Sequence, residues 1–88
     1  MRPGSVALVG TGPGHPGLVT LRALELTRRA DVVVYDYLGA AELVNAAPEG
    51  AEKVYVGKTA SRHTLTQEAI NELLVRLARE GKRVVRLK

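Results

Sequence analysis

The 88-residue sequence predicts an α/β domain built on a parallel sheet. Four short apolar runs alternate with segments that carry helical signals, in the order β-α-β-α-β-α-β. The second run, Asp31–Tyr35, is continuous and β-branched, which is typical of a strand covered on both faces. Because strands that alternate with helices are joined by right-handed crossovers, all four strands are expected to run parallel.

The other three strands are shorter or less regular. Ser5–Val9 precedes a cluster of Gly and Pro residues and is interpreted as a buried strand. Lys53–Val56 is the third predicted strand, and Lys82–Leu87 is the fourth. Each of the first three strands leads into a segment that contains turn-forming residues, so the loops that follow them are the places to look for a ligand site.

Two short helices are predicted in the first half of the chain. Thr20 is a candidate N-cap for a helix from Leu21 to about Arg29. The expected core face of that helix consists of Ala23, Leu24, Thr27 and Ala30. Ala40–Asn45 is expected to form a second helix that stops before the next proline.

The strongest helical pattern covers Thr64–Glu80. Thr64 and Gln67 have the spacing of a capping box, and Gly81 suits the residue that follows the C-cap. The apolar stripe of this helix consists of Ile70, Leu73, Leu74 and Leu77.

Composition excludes several functional classes. The net charge of +4 lies entirely in residues 45–88, which contain nine basic and five acidic side chains. Such a basic excess suits an anionic ligand or nucleic acid. With three Tyr and no Phe or Trp, the protein offers few aromatic side chains on which the bases of a single-stranded nucleic acid could stack. No nucleic acid is therefore expected as a partner. The absence of Cys and the presence of only two His predict no metal site. Without a membrane-length apolar run or a signal peptide, we expect a cytoplasmic protein with no membrane partner.

The glycine loop allows three interpretations. Residues 12–17 match G-x-G-x-x-G, and Asp36 lies 19 residues later at a strand end, as in a dinucleotide site. However, Pro13 and Pro16 each remove an N–H that a pyrophosphate would need. The loop could instead be a tight connection between strand and helix, or a rigid wall for a neutral or cationic cofactor.

Polar residues follow the second and third strands. Asp36 could act as a general base at the mouth of the sheet, or simply form a turn. Lys58 could pair with a substrate carboxylate or supply a proton, or simply be solvated. Neighbouring parallel strands end at the same edge, so the two side chains are predicted to face one cleft. Gln67 and Asn71 are four residues apart and share a helix face.

Taken together, these residues resemble the N-terminal part of the tetrapyrrole methylase family. The matching segments are Val9–Gly14, Leu18–Ala23, Ala30–Leu38, Tyr55–Lys58, His63, Gln67, Ile70-Asn71 and Gly81–Lys88. The later segments point more narrowly to the members that methylate uroporphyrinogen III. The resemblance implies a two-domain, homodimeric α/β enzyme that binds S-adenosylmethionine between its domains. Such an enzyme methylates two ring carbons of uroporphyrinogen III to give precorrin-2, a precursor of sirohaem and cobalamin.

The resemblance also implies roles for individual residues. Gly12-Pro13-Gly14 corresponds to a cofactor-binding loop, in which Pro13 contacts S-adenosylmethionine. Asp36 corresponds to the proton acceptor and Lys58 to the proton donor, whereas His63 and Gln67 are candidate substrate-binding residues.

Two departures from the family pattern affect these expectations. His15 stands where many members have Asp. The family also continues with Gly-Gly-Asp-Pro and a second domain, so residues 1–88 are interpreted as one incomplete N-terminal α/β domain, truncated at the fourth strand and inactive alone. A Rossmann-type nucleotide-binding module and a sister methyltransferase that acts on a later precorrin remain as alternatives.

Overall fold

The computed structural model describes residues 4–10, 21–36, 40–57 and 66–88. In chain order, its elements are β1 (Ser5–Val9), α1 (Leu21–Arg28), β2 (Val32–Tyr35), α2 (Ala41–Val44), β3 (Glu52–Tyr55), α3 (Gln67–Arg79) and β4 (Arg83–Leu87). The strands form one parallel sheet in the order β1-β4-β2-β3. This confirms the predicted α/β class and element order, with β3 beginning one residue earlier than expected.

The helices lie on opposite faces of the sheet. Residues of α1 and α2 pack with Val33, Val85 and Leu87 on one face, whereas α3 packs with Val32, Val34 and Val84 on the other. The connections through α1 and α2 carry the chain from β1 towards β3, and α3 carries it back to β4. Right-handed crossovers in opposite directions place their helices on opposite faces, which explains this arrangement.

The strand β1 differs from its prediction as a buried strand. It is the edge of the sheet and pairs only with β4, so most of its side chains are exposed or half-buried. Leu8 is 72% exposed. An apolar run is buried when a neighbouring strand lies on each side of it. In the described sheet, β1 has a neighbouring strand on one side only. The inner strands β2 and β4 are buried as expected from their β-branched residues.

The core face predicted for α1 is confirmed. Ala23, Thr27 and Ala30 are buried, and Leu24 packs half-buried against the same cluster. The hydroxyl of Thr27 donates to the carbonyl of Ala23 at 2.8 Å, which satisfies its polar group inside the core.

The N-cap of α3 is Thr66 rather than Thr64. The backbone of Thr66 is extended, and its side-chain oxygen accepts from the N–H of Ala69 at 3.0 Å. Gln67 is therefore the first helical residue and cannot complete the predicted capping box. Gly81 ends the helix with a φ of 86°, as predicted for a residue in the left-handed region.

Thr66→Ala is expected to lower the free energy of unfolding by about 1 kcal/mol, because it leaves the Ala69 N–H without its cap. Urea denaturation followed by circular dichroism measures this loss. Thr66→Asp is the matched control, since Asp caps equally well and should retain stability. Equal losses in both variants would contradict the capping role.

Candidate functional site

The carboxyl ends of all four strands lie in one row. The register pairs Val9 with Leu87, Leu87 with Tyr35, and Tyr35 with Tyr55. The chain leaves this row into the glycine loop after β1, into the segment after Asp36, and into the segment that begins with Lys58. The three segments singled out in the sequence therefore start from the same edge of the sheet, where parallel α/β proteins bind ligands.

Asp36 lies at this edge, one residue beyond β2. Its side chain is 37% exposed, so a ligand can reach the carboxylate. The Nη2 group of Arg86 donates to Oδ2 of Asp36 at 3.2 Å. A strand-end carboxylate paired with a cation can accept hydrogen bonds or a proton from a bound molecule.

The guanidinium of Arg86 joins the ends of β4 and β2. Arg86 lies in β4 opposite Val34 and is only 2% exposed. Its Nη1 group donates to the carbonyl of Leu87, while Nη2 reaches Asp36. Sequence reasoning missed this residue as part of the site. The available signal was a charge between the apolar residues Val85 and Leu87 of a predicted strand, since a buried charge requires a partner.

Gly57 packs closely against the backbone of Asp36. A Cβ at residue 57 would collide with the carbonyl oxygen of Asp36 and would lie 2.5 Å from the hydroxyl of Tyr55. The rings of Tyr35 and Tyr55 contact each other at a centroid distance of 5.3 Å. The N–H of Val56 also donates to the carbonyl of Tyr35 at 2.8 Å, so pairing extends past the end of β3. The loop that carries Lys58 therefore starts beside Asp36.

Gln67 and Asn71 lie on the exposed side of the first turns of α3. The side-chain amide of Gln67 donates to the Asn71 oxygen at 3.0 Å, which confirms that the two share a helix face. This contact holds both amides in place. A substrate-binding role for Gln67 stays a prediction.

Five of the predicted site residues lie outside the described part of the chain: Gly12, Pro13, Gly14, Lys58 and His63. The same is true of Thr20, His15 and Thr64. The described residues that come directly before these segments are Gly10, one residue beyond β1, and Gly57. A Cβ added to Gly10 would meet nothing within 4 Å, so there is open space where the glycine loop begins.

The strand order separates β1, which precedes the glycine loop in sequence, from Asp36. In the dinucleotide-binding fold, the strand that precedes the glycine loop neighbours the strand that ends in the acidic residue. Here β4 lies between β1 and β2, so the two strand ends are roughly 10 Å apart at the usual strand spacing. This order disfavours the Rossmann-type alternative.

The described residues contain neither a cluster suited to a metal ion nor a helix suited to a membrane. No group of three His, Asp or Glu side chains there could hold a metal ion. Over the same residues, no helix is both long and apolar enough to cross a membrane.

Curated relatives match nearly the whole chain. Siroheme synthase from Chromobacterium violaceum is 59% identical over 87 residues. This match covers 99% of the chain but 18% of the length of the relative. The chain therefore corresponds to a small part of that longer protein.

Solved structures of methyltransferases also match most or all of this chain, over about a third of their own length. Uroporphyrin-III C-methyltransferase from Thermus thermophilus has a TM-score of 0.78 at 41% identity, over all of this chain and 35% of that protein. A Thermus thermophilus uroporphyrin-III C-methyltransferase complexed with S-adenosylhomocysteine is 49% identical, with a TM-score of 0.71 over 94% of this chain and 34% of that one. Cobalt precorrin-4 methyltransferase is 35% identical, with a TM-score of 0.71 over 93% of this chain and 32% of that one.

A family model covers almost the entire sequence. The model for Tetrapyrrole (Corrin/Porphyrin) Methylases matches residues 5–88, which includes all four strands and the Asp36–Arg86 pair. Together with the parallel sheet and the site at its carboxyl edge, this match shows that the chain belongs to the tetrapyrrole methylase family.

Proposed function

We propose that this chain forms the N-terminal part of an S-adenosylmethionine-dependent C-methyltransferase that converts uroporphyrinogen III into precorrin-2. The observation that carries the proposal is the accessible carboxylate of Asp36, paired with Arg86 at the carboxyl edge of the sheet. The 41% and 49% identity to uroporphyrin-III C-methyltransferases supports the choice of substrate.

Asp36 is the proposed proton acceptor of this reaction. The bound cofactor would supply an electrophilic methyl group on a sulfonium, and after a pyrrole carbon accepts the methyl, a proton must leave elsewhere in the ring system. The carboxylate of Asp36 is exposed enough to take that proton and is held by a hydrogen bond on one side. Lys58 would donate a proton elsewhere on the substrate, from the loop that starts beside Asp36.

The residues that would hold the cofactor are Gly12, Pro13 and Gly14. Prolines in the loop leave too few N–H donors for a pyrophosphate, but a sulfonium cation does not need them. The open space beside Gly10 is compatible with a ligand against this loop. We place His63 and Gln67 among the residues that bind the substrate, and expect a cytoplasmic homodimer once the second domain is present.

Charge supports a polycarboxylate substrate. Residues 45–88 carry the whole basic excess of the chain. Uroporphyrinogen III is rich in carboxylates, so this excess would attract it to the protein.

A sister activity on a later precorrin is the second candidate. The 35% identity to cobalt precorrin-4 methyltransferase favours it, because the same fold also occurs over 32% of that enzyme. Substrate choice between these two activities would depend on residues beyond this part of the fold.

Methyl transfer by the full-length protein tests the proposal. Incubation with S-adenosylmethionine and uroporphyrinogen III should yield a product heavier by two methyl groups, whereas residues 1–88 alone should yield none. Mass spectrometry of the product and of released S-adenosylhomocysteine gives the result. Methylation of a later precorrin but not of uroporphyrinogen III would support the sister activity. Saturable NAD binding with no response to S-adenosylhomocysteine would overturn both.

A further inference from the structure

A buried guanidinium lies directly behind the carboxylate at the sheet edge. Arg86 is 2% exposed, yet its neighbours in β4 are apolar. Burying a charge is unfavourable unless it is paired and hydrogen-bonded. A Val or Leu at position 86, like the residues on either side of it, would fill the same space without the cost of burying a charge. Packing alone therefore does not account for an Arg here.

The guanidinium has a fixed orientation. One amino group donates to the Leu87 carbonyl in β4, and the other donates to Oδ2 of Asp36 just beyond β2. Because β4 and β2 are hydrogen-bonded neighbours, the base of the Arg86 side chain is itself fixed by the sheet. The position of the carboxylate is thus tied to the framework of the two innermost strands.

This contact uses only one of the two carboxylate oxygens. Among the residues that the structure describes, no hydrogen bond to Oδ1 of Asp36 is present, while Oδ2 accepts from Arg86. The carboxylate group is 37% exposed. One oxygen is therefore engaged by Arg86, and within the described part of the chain the other has no hydrogen-bond donor.

We propose that Arg86 is a positioning residue, which holds Oδ2 of Asp36 so that Oδ1 faces the substrate and accepts the proton. This inference rests on the proposed function, in which Asp36 is the base. Arg86 does not contact the substrate in this arrangement; it acts through Asp36 alone. Its removal should therefore affect turnover more than binding.

Steady-state kinetics of the full-length enzyme tests this role. Arg86→Met is expected to lower kcat on the order of 10- to 100-fold, with KM for both substrates within about threefold of wild type. Arg86→Lys should recover part of the loss, because an ammonium can reach Asp36 but cannot also hold the Leu87 carbonyl with the same geometry.

Arg83→Met is the matched control. Arg83 lies in the same strand and also pairs with an aspartate, since its Nε group is 3.7 Å from Oδ2 of Asp31. That pair is exposed and lies at the opposite end of β4, so its loss should leave kcat unchanged. A fall in kcat equal to that of Arg86→Met would overturn the proposal.

A double-mutant cycle separates positioning from a merely structural role. If Arg86 acts through Asp36, then Arg86→Met or Arg86→Lys should lower kcat no further in an Asp36→Asn background. An equal fall in both backgrounds, or wild-type kcat in both single Arg86 variants, would overturn the inference. Either Arg86 variant suffices if the other does not fold. An inactive wild-type enzyme would instead refute the proposed function, so the two failures are distinguishable.

Discussion

Asp36→Asn is expected to lower kcat of the full-length enzyme by roughly two to four orders of magnitude, the usual contribution of a positioned general base. Asn has the shape of Asp but cannot take the proton. Cofactor affinity should stay within about twofold of wild type, because the carboxylate is not assigned a cofactor contact. Steady-state methyl transfer measures the first quantity, and calorimetric titration with S-adenosylhomocysteine measures the second.

Asp31→Asn provides the control for this experiment. Asp31 precedes β2 as Asp36 follows it, and its Oδ2 accepts from the Arg83 N–H at 2.7 Å. Its side chain is 45% exposed, similar to that of Asp36, but it lies at the amino edge of the sheet. This substitution should leave kcat within about twofold. Turnover of Asp36→Asn at the wild-type rate would remove Asp36 from the mechanism.

Gly57→Ala is expected to damage both stability and turnover. The added Cβ would overlap the carbonyl oxygen of Asp36 and the end of the Tyr55 side chain. The tyrosine could rotate, but the backbone oxygen could move only with the end of β2. Overpacking of this kind destabilises proteins by about 1–3 kcal/mol. Displacement of Asp36 should also lower kcat, by on the order of 100-fold for a shift of about 1 Å.

Gly50→Ala tests whether the effect is specific to the site. Gly50 lies before β3, and a Cβ there would meet nothing within 4 Å. Thermal unfolding and kcat of this variant should match wild type. If Gly57→Ala also matched wild type in both measurements, the close packing of the β3 loop against Asp36 would be refuted.

The sequence predicted the inner strands and the helices well, because their burial follows from local patterns. The valines of β2 and the stripe of α3 are each complete within one segment. The edge position of β1 was not predictable in this way. It depends on β4 inserting beside β1 and β2, a long-range pairing that an apolar run does not encode. The cap of α3 was misplaced because Thr64 and Thr66 both carry the required hydroxyl.

The site was predictable where a residue follows a strand. Asp36 was identified from its place after Tyr35, and the structure puts it at the carboxyl edge. Its partner Arg86 lies 50 positions away in sequence, and no local spacing relates the two. The charge between Val85 and Leu87 in β4 was the sign that a partner must exist. Roles for the loop residues came from family resemblance and stay predictions.

The placement of β4 in the sheet also constrains the order of folding. β2 and β3 can pair as soon as both are made, but β1 has no partner in the described sheet until β4 is present. β4, the last of the four described strands to be made, therefore joins the two halves of the described sheet and brings Arg86 to Asp36 in the same event. A nascent chain that stops before residue 83 would have neither a continuous sheet nor a paired carboxylate. Contacts between residues far apart in sequence form slowly, so the pairing of Arg86 with Asp36 is expected to follow the pairing of β2 with β3.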